Sequence, residues 1–130
     1  MRVRQETIDI DGEPDFKDSR DKDRQRIRAR LGAFTKVNSE VETGIQVASG
    51  SGADRRSTNE NMDNYFDKKA VWLDLAYISY VPVAVPGLKT FAGKMKQPWM
   101  SMGDVIWDGD INPEGFAVGY TKKDGTTTFF

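Results

Sequence analysis

A chain of 130 residues with a net charge of −1 has the size of one ordinary domain and no electrostatic bias toward nucleic acid. It contains no cysteine and no histidine, which removes disulfides, thiolate or imidazole metal sites, and the Ser-His and Cys-His routes to nucleophilic catalysis. No run approaches the roughly 18 apolar residues of a membrane helix, although barrel strands of about 9–11 residues, apolar only at alternate positions, would escape that search.

Residues 1–10 are expected as a strand in which Arg2, Arg4 and Glu6 alternate with Val3, Gln5 and Thr7. Residues 11–22, with Gly12, Pro14 and dense alternating charge, read as a polar connection. Then Arg24, Arg26, Arg28 and Arg30 occupy every second position, with Ile27, Ala29 and Leu31 between them. A period of two belongs to a β-strand, whereas a helix would scatter these arginines around its circumference. A strand is therefore predicted over 23–36, one face a cationic ladder and the other an apolar stripe. The arginines are interleaved with Asp15, Asp18, Asp21 and Asp23, which argues against a phosphate-tracking patch.

Residues 36–40 suit a hairpin turn, and Val41, Thr43, Ile45 and Val47 alternate with Glu42, Gly44, Gln46 and Ala48 in a strand over 40–48. Residues 49–69, rich in Gly, Ser, Thr, Asn and Asp, read as a long exposed loop. The next strand, 70–80, places Val71, Leu73, Leu75 and Tyr77 on one face and Trp72, Asp74, Ala76, Ile78 and Tyr80 on the other, where Ile78 disturbs the polar side. Pro82 and Pro86 make 81–87 a short turn, because two prolines so close cannot sit in a central strand. A strand follows at 88–96. Residues 97–114 form a third long connection, which carries Trp99, Met100, Met102, Ile106 and Trp107 as well as Asp104, Asp108 and Asp110. Strands at 115–122 and 126–130 flank a tight turn at Lys123-Asp124-Gly125.

The connections thus run long, short, long, short, long, short. An antiparallel meander with its long loops at one end and its tight turns at the other is the habit of outer-membrane barrels. Soluble sandwiches mix the two at both ends. Periodicity alone accommodates either neighbour for the apolar stripe, lipid or a protein core. A soluble β-sandwich that binds carbohydrate through Trp99, Trp107 and the nearby acids is the alternative. A hydrolase built on the same carboxylates has no other supporting feature.

The runs Arg24-Gln25-Arg26-Ile27-Arg28-Ala29-Arg30-Leu31-Gly32, Val47-Ala48-Ser49-Gly50 and Lys69-Ala70-Val71-Trp72-Leu73-Asp74-Leu75-Ala76-Tyr77, followed by Ala92-Gly93-Lys94-Met95-Lys96-Gln97-Pro98-Trp99 and the stretch from Val105 to Gly115, resemble the bacterial outer-membrane family called putative porins. The resemblance extends from Arg2 to about Tyr120. It implies an all-β chain, an antiparallel up-and-down meander that is part of a transmembrane β-barrel with long external loops and short periplasmic turns. It implies, too, a passive diffusion channel for small hydrophilic solutes or ions, in the outer membrane of a Gram-negative bacterium. The six or seven expected strands are fewer than the eight of the smallest membrane barrels, so the sequence is expected to be an N-terminal fragment lacking a signal peptide.

On that reading Arg2, Arg4, Arg24, Arg26, Arg28, Arg30, Glu42, Asp74 and Lys94 are expected to line the pore. Trp99, Asp104, Trp107, Asp108, Asp110 and Glu114 are expected in a constriction loop folded into the lumen. No enzymatic step, metal or cofactor is expected. The expected partners are the outer-membrane lipid bilayer, small solutes or ions and the remaining strands of the full-length chain, with a homo-oligomer left open and no nucleic acid.

Overall fold

The structure, a computed structural model, describes residues 1–8, 22–52, 56–99, 108–122, 124–125 and 127–129. Every regular element among them is a β-strand: β1 (Arg2–Ile8), β2 (Lys22–Arg28), β3 (Arg30–Lys36), β4 (Val41–Ser49), β5 (Glu60–Asn61), β6 (Val71–Tyr80), β7 (Leu88–Lys94), β8 (Glu114–Thr121) and β9 (Thr127–Phe129). All pairings are antiparallel, in a three-stranded sheet ordered β1-β2-β5 and a six-stranded sheet ordered β3-β4-β6-β7-β8-β9.

The two sheets are halves of one meander. At their junction the Ser49 N–H donates to the Ala29 carbonyl at 2.9 Å, and the Ala29 N–H donates to the Ser49 hydroxyl at 2.9 Å. Beyond it Glu60 lies opposite Ile27 and Asn61 opposite Arg26, and Met62 N–H reaches the Gln25 carbonyl. So β5 continues the direction of β4 after an excursion over residues 50–59. The stretch expected as one strand over 23–36 is broken at Ala29, because a side chain of β4 replaces one rung of the ladder there. The stretch expected as an exposed loop over 49–69 is also different: Ser49 and Thr58 are buried, and β5 forms within it.

Short connections fall at one end of the meander, where their chemistry is local. Asn38 Oδ1 accepts from the N–H groups of Glu40 and Val41, which closes the β3–β4 turn. Gly87 adopts φ +90°, and a Cβ there would collide with the Thr121 carbonyl. Gly125, at φ +88°, closes the turn before β9. The long connections, 9–21, 50–70 and 95–113, all follow the opposite strand ends.

Register sorts the side chains into two faces. Leu31, Val47 and Leu73 form one row, Ala33, Ile45 and Ala76 a second, and Thr43, Ile78, Ala92 and Phe116 a third. This face is apolar and open: Leu31 is 76% exposed and Phe116 69%. The other face carries Arg2 opposite Arg28, Arg4 opposite Arg26 and Glu6 opposite Arg24, then the row Arg30, Ala48 and Trp72. Nearer the short turns the same face becomes aromatic, with Phe34, Tyr77 and Phe91 around Gly44 and Gly93. The Tyr77 and Phe91 rings lie 6.4 Å apart.

A bulge reorganises β6. Gln46 faces Leu75 but Val47 faces Leu73, so Asp74 is an extra residue. The inserted residue reverses the phase: Leu73 lies on the apolar face before it, and Ala76, Ile78 and Tyr80 lie on that face after it. Leu75 and Tyr77 therefore share a face with Trp72, not with Leu73 as strict alternation predicts. Ile78 fits the apolar side once the bulge is counted.

Few side chains are enclosed. Among the described residues the buried apolar ones are Ala48, Leu75, Met95 and Ala117, and only Leu75 is large and fully buried. A soluble sandwich needs two facing layers of such residues. Here one layer exposes its apolar face, and segments of its own long connections lie on the charged face. No closed barrel is seen, and β1 and β9 are the outer strands among the described residues. No helix among these residues is long and apolar enough to cross a membrane.

Candidate functional site: the charged face and its clamp

Arginines at alternate positions of one strand sit about 7 Å apart along it, close enough to repel unless acids intervene. Glu6 supplies the first set of counter-charges. Its carboxylate is 9% exposed and receives Arg24 at 2.7 Å, Arg4 at 2.9 Å and Arg26 at 3.4 Å. Register explains the convergence, since Glu6 is directly opposite Arg24 and on the face of Arg4 and Arg26.

Asp110 supplies the second. Arg30 Nη2 donates to its Oδ1 at 2.5 Å and Arg28 Nη2 to its Oδ2 at 2.7 Å. The carboxylate is 14% exposed. Burial alone would push the Asp110 carboxyl up; the Arg30 hydrogen bond and the charges of Arg30 and Arg28 outweigh it and hold it below the usual carboxylate range. The Asp108 carboxylate accepts the Asp110 N–H at 2.8 Å, and Ile111 N–H donates to the Asp108 carbonyl, which shapes the turn that aims Asp110 at the ladder.

Neutral groups of the excursion add to the arginines' hydrogen bonding, although the buried Nε atoms of Arg26 and Arg30 keep no hydrogen-bond partner. Ser57 accepts from Arg26, Asn59 from Arg28 and Arg2, and Thr58 from Arg30. Two long connections therefore meet over one stretch of ladder.

Asp74, 7% exposed, ties the clamp to the sheet. Its Oδ2 accepts from Gln46 at 2.6 Å, its Oδ1 accepts from Asn112 at 2.6 Å, and Arg30 Nε lies 3.7 Å away. The Asn112 amide bonds the Asp74 carbonyl as well, and Met95 N–H donates to the Pro113 carbonyl. Gln97 holds the carbonyls of Asp108 and Ile111. Residues 108–113 are thus fastened to β2, β3, β6 and the end of β7.

The structure brings together most, but not all, of the residues singled out in the sequence. Arg2, Arg4, Arg24, Arg26, Arg28, Arg30, Glu42 and Asp74 share one face. Glu42 accepts from the Tyr77 hydroxyl at 3.2 Å. Lys94 is placed otherwise. Register sets it opposite Ala76 and Glu114, on the face of Ile45, because Phe91 and Gly93 take the alternate positions beside Ser79 and Tyr77. Its ammonium bends over the sheet end to the Asn112 carbonyl and to Glu114 at 2.9 Å. Lys89, whose ammonium lies 4.7 Å from the Phe91 ring centre, is the lysine in phase with the charged face.

Asp110 and Asp108 belong to the clamp. Glu114 does not: it opens β8, 74% exposed, and pairs with Lys94. Trp99 is 41% exposed and makes no part of these contacts. Asp104 and Trp107 lie outside the described residues. Sequence reasoning missed Glu6, Gln46, Asn112 and the Ser57-Thr58-Asn59 run as site residues. Parity with the arginines marks Glu6, and alternation in β4 marks Gln46; nothing local marks Asn112.

Chemically, the face holds an excess of arginines, most of them paired to Glu6, Asp74 or Asp110, with no three His, Cys, Asp or Glu side chains converging on one point among the described residues. A family model described as Putative porin matches residues 2–130. No curated protein matches the chain.

Proposed function

The chain belongs to the putative porin family, a family of outer-membrane channels rather than enzymes, and from that premise we propose that its charged face borders an aqueous lumen through which small hydrophilic solutes or ions diffuse. Leu31, Ile45, Leu73, Ile78 and Phe116 then face lipid. The observation that carries this reading is the separation of faces: large apolar residues stand exposed on one side of the meander, while six arginines and their acids occupy the other side across its two sheets. Water would find no reason for the first face, and lipid would reject the second at roughly 2–4 kcal/mol per midplane arginine. The ten residues of β6 match the length of a tilted spanning strand. Tyr80 and Tyr120 stand on the apolar face beside the short turns, where an interfacial aromatic belt would lie.

Residues 108–113 of the third long connection act as a constriction, held against the arginine wall by Asp110. Selectivity arises from charge and width at that point and not from a chemical step. The test is the reversal potential of the full-length protein in planar bilayers under a salt gradient. Replacing Arg24 and Arg26 together by Gln removes two cations from the wall and shifts the reversal potential toward cation preference. An unchanged potential refutes the assignment of the ladder to the conduction path.

A further inference from the structure

We infer that the hollow beside Trp72 is a binding subsite for a small neutral polyhydroxylated solute, of the size of a mono- or disaccharide, on its way through the channel. The inference rests on the porin reading and adds a substrate class to it. The hollow measures about 420 Å³, within the range of small-molecule clefts, and lies against the charged face at the end of the sheet that carries the long connections, where Lys94 and Glu114 reach it from the other face around the sheet end. Trp72, Thr58, Asp110, Asn112, Lys94 and Glu114 are among its walls.

Two features choose the chemistry. The first is the indole. Trp72 is held in place by its own N–H, which donates to the Gly50 carbonyl at 2.8 Å, and by Gly52, where a Cβ would fall 2.8 Å from the ring. It still remains 52% exposed. A fixed, half-open aromatic face suits the C–H faces of a sugar ring. The second feature is cancellation of charge. Asp110 is taken by Arg28 and Arg30, Asp74 by Gln46, Asn112 and Arg30, and Glu114 by Lys94. An ionic ligand would have to break one of these pairs. Hydroxyl groups need not, because each carboxylate keeps spare lone pairs and Lys94 a third N–H, while the pairs stay intact.

The experiment is current block through single channels of the full-length protein, with sucrose as the neutral probe and lactobionate and the dipeptide arginyl-arginine as charged probes of comparable size. Sucrose is expected to block saturably, and the charged probes not to. Trp72→Ala raises the half-blocking sucrose concentration at least tenfold, equivalent to about 1.4 kcal/mol, and Trp72→Phe recovers part of the loss. Val83→Thr, in the turn at the opposite end, leaves both block and conductance as they were. Single-channel steps in the Trp72 variants show that those proteins are folded; if Trp72→Ala gives no channels, Trp72→Phe alone decides, by a raised or an unchanged half-blocking concentration. Absence of any conductance in the unaltered protein refutes the porin reading. Conductance without saturable sucrose block, block indifferent to Trp72, or stronger block by a charged probe refutes the subsite alone.

Discussion

Replacing Asp110 by Asn separates a buried clamp from a decorative surface ion pair. The substitution keeps the shape of the side chain but turns one oxygen into an N–H₂ group and removes the negative charge. Arg30 and Arg28 approach that carboxylate at 2.5 and 2.7 Å, and it is 14% exposed. One charge-assisted bond, worth about 1.5–3 kcal/mol, is lost outright, and the remaining one weakens. The bond from the Asp110 N–H to the Asp108 carboxylate survives, which keeps the expected cost at about 2–3 kcal/mol of local opening free energy. An exposed pair would cost roughly 0–1 kcal/mol. Hydrogen exchange of the full-length protein in detergent reads the difference at the Ile111 and Met95 amides, whose donors hold the segment in place. Exchange there should accelerate roughly 30- to 140-fold, 1.4 kcal/mol being a factor of ten. Acceleration below about threefold would place Asp110 in the surface class and refute the clamp.

Acid should release the same clamp late. The folded Asp110 carboxyl is held below its ordinary value, so its contribution is fully present above the unfolded pKa of about 3.9 and is lost as pH falls through the lower folded value. Exchange at Ile111, corrected for intrinsic rates, should stay flat from neutral pH to about 4; release already at pH 5.5 would contradict the assignment. Ile45→Arg places a cation on the open apolar face and should cost roughly 2–4 kcal/mol if that site lies near the bilayer midplane, read as a loss of folded protein in vesicles, whereas Gln46→Arg, one residue on, should fold far better. Gly93→Ala should lower the urea midpoint by an amount equivalent to at least 1–3 kcal/mol, because φ is +111° and the added methyl would collide with the Ala76 carbonyl; a midpoint within error of the parent would show that the backbone there relaxes freely.

What the sequence discloses is what depends on neighbours along the chain. The period-two arginines, the prolines around residue 84 and Gly125 announce strands and turns through local geometry, and the structure keeps the charged and apolar faces apart. What it hides depends on neighbours across space. Ala29 reads as one more apolar rung, and only Ser49, on another strand, breaks the ladder there. Lys94 reads as a lumen cation because it is charged, but the pairing of β7 with β6 sets Gly93 beside Tyr77 and Phe91 beside Ser79 and leaves Lys94 on the other side. Asn112 sits in a loop among many polar residues, and its partner Asp74 is distant in sequence. Of the residues expected to constrict the pore, Asp110 and Asp108 are tied into the clamp, while Glu114 belongs to a strand.

The extra residue at Asp74 makes β6 a strand with two reading frames. Deleting Asp74 would remove more than a carboxylate: the bulge would go with it, and Leu73 and Leu75 would follow one another in regular alternation, every other side chain keeping the face it now has. Substituting Asp74 by Asn, in contrast, leaves the bulge untouched and alters only the polar bonds. The bulge is therefore the place where β6 can lose a residue without turning half of itself over; a one-residue deletion elsewhere in the strand, with the bulge kept, would exchange the faces of the side chains beyond it.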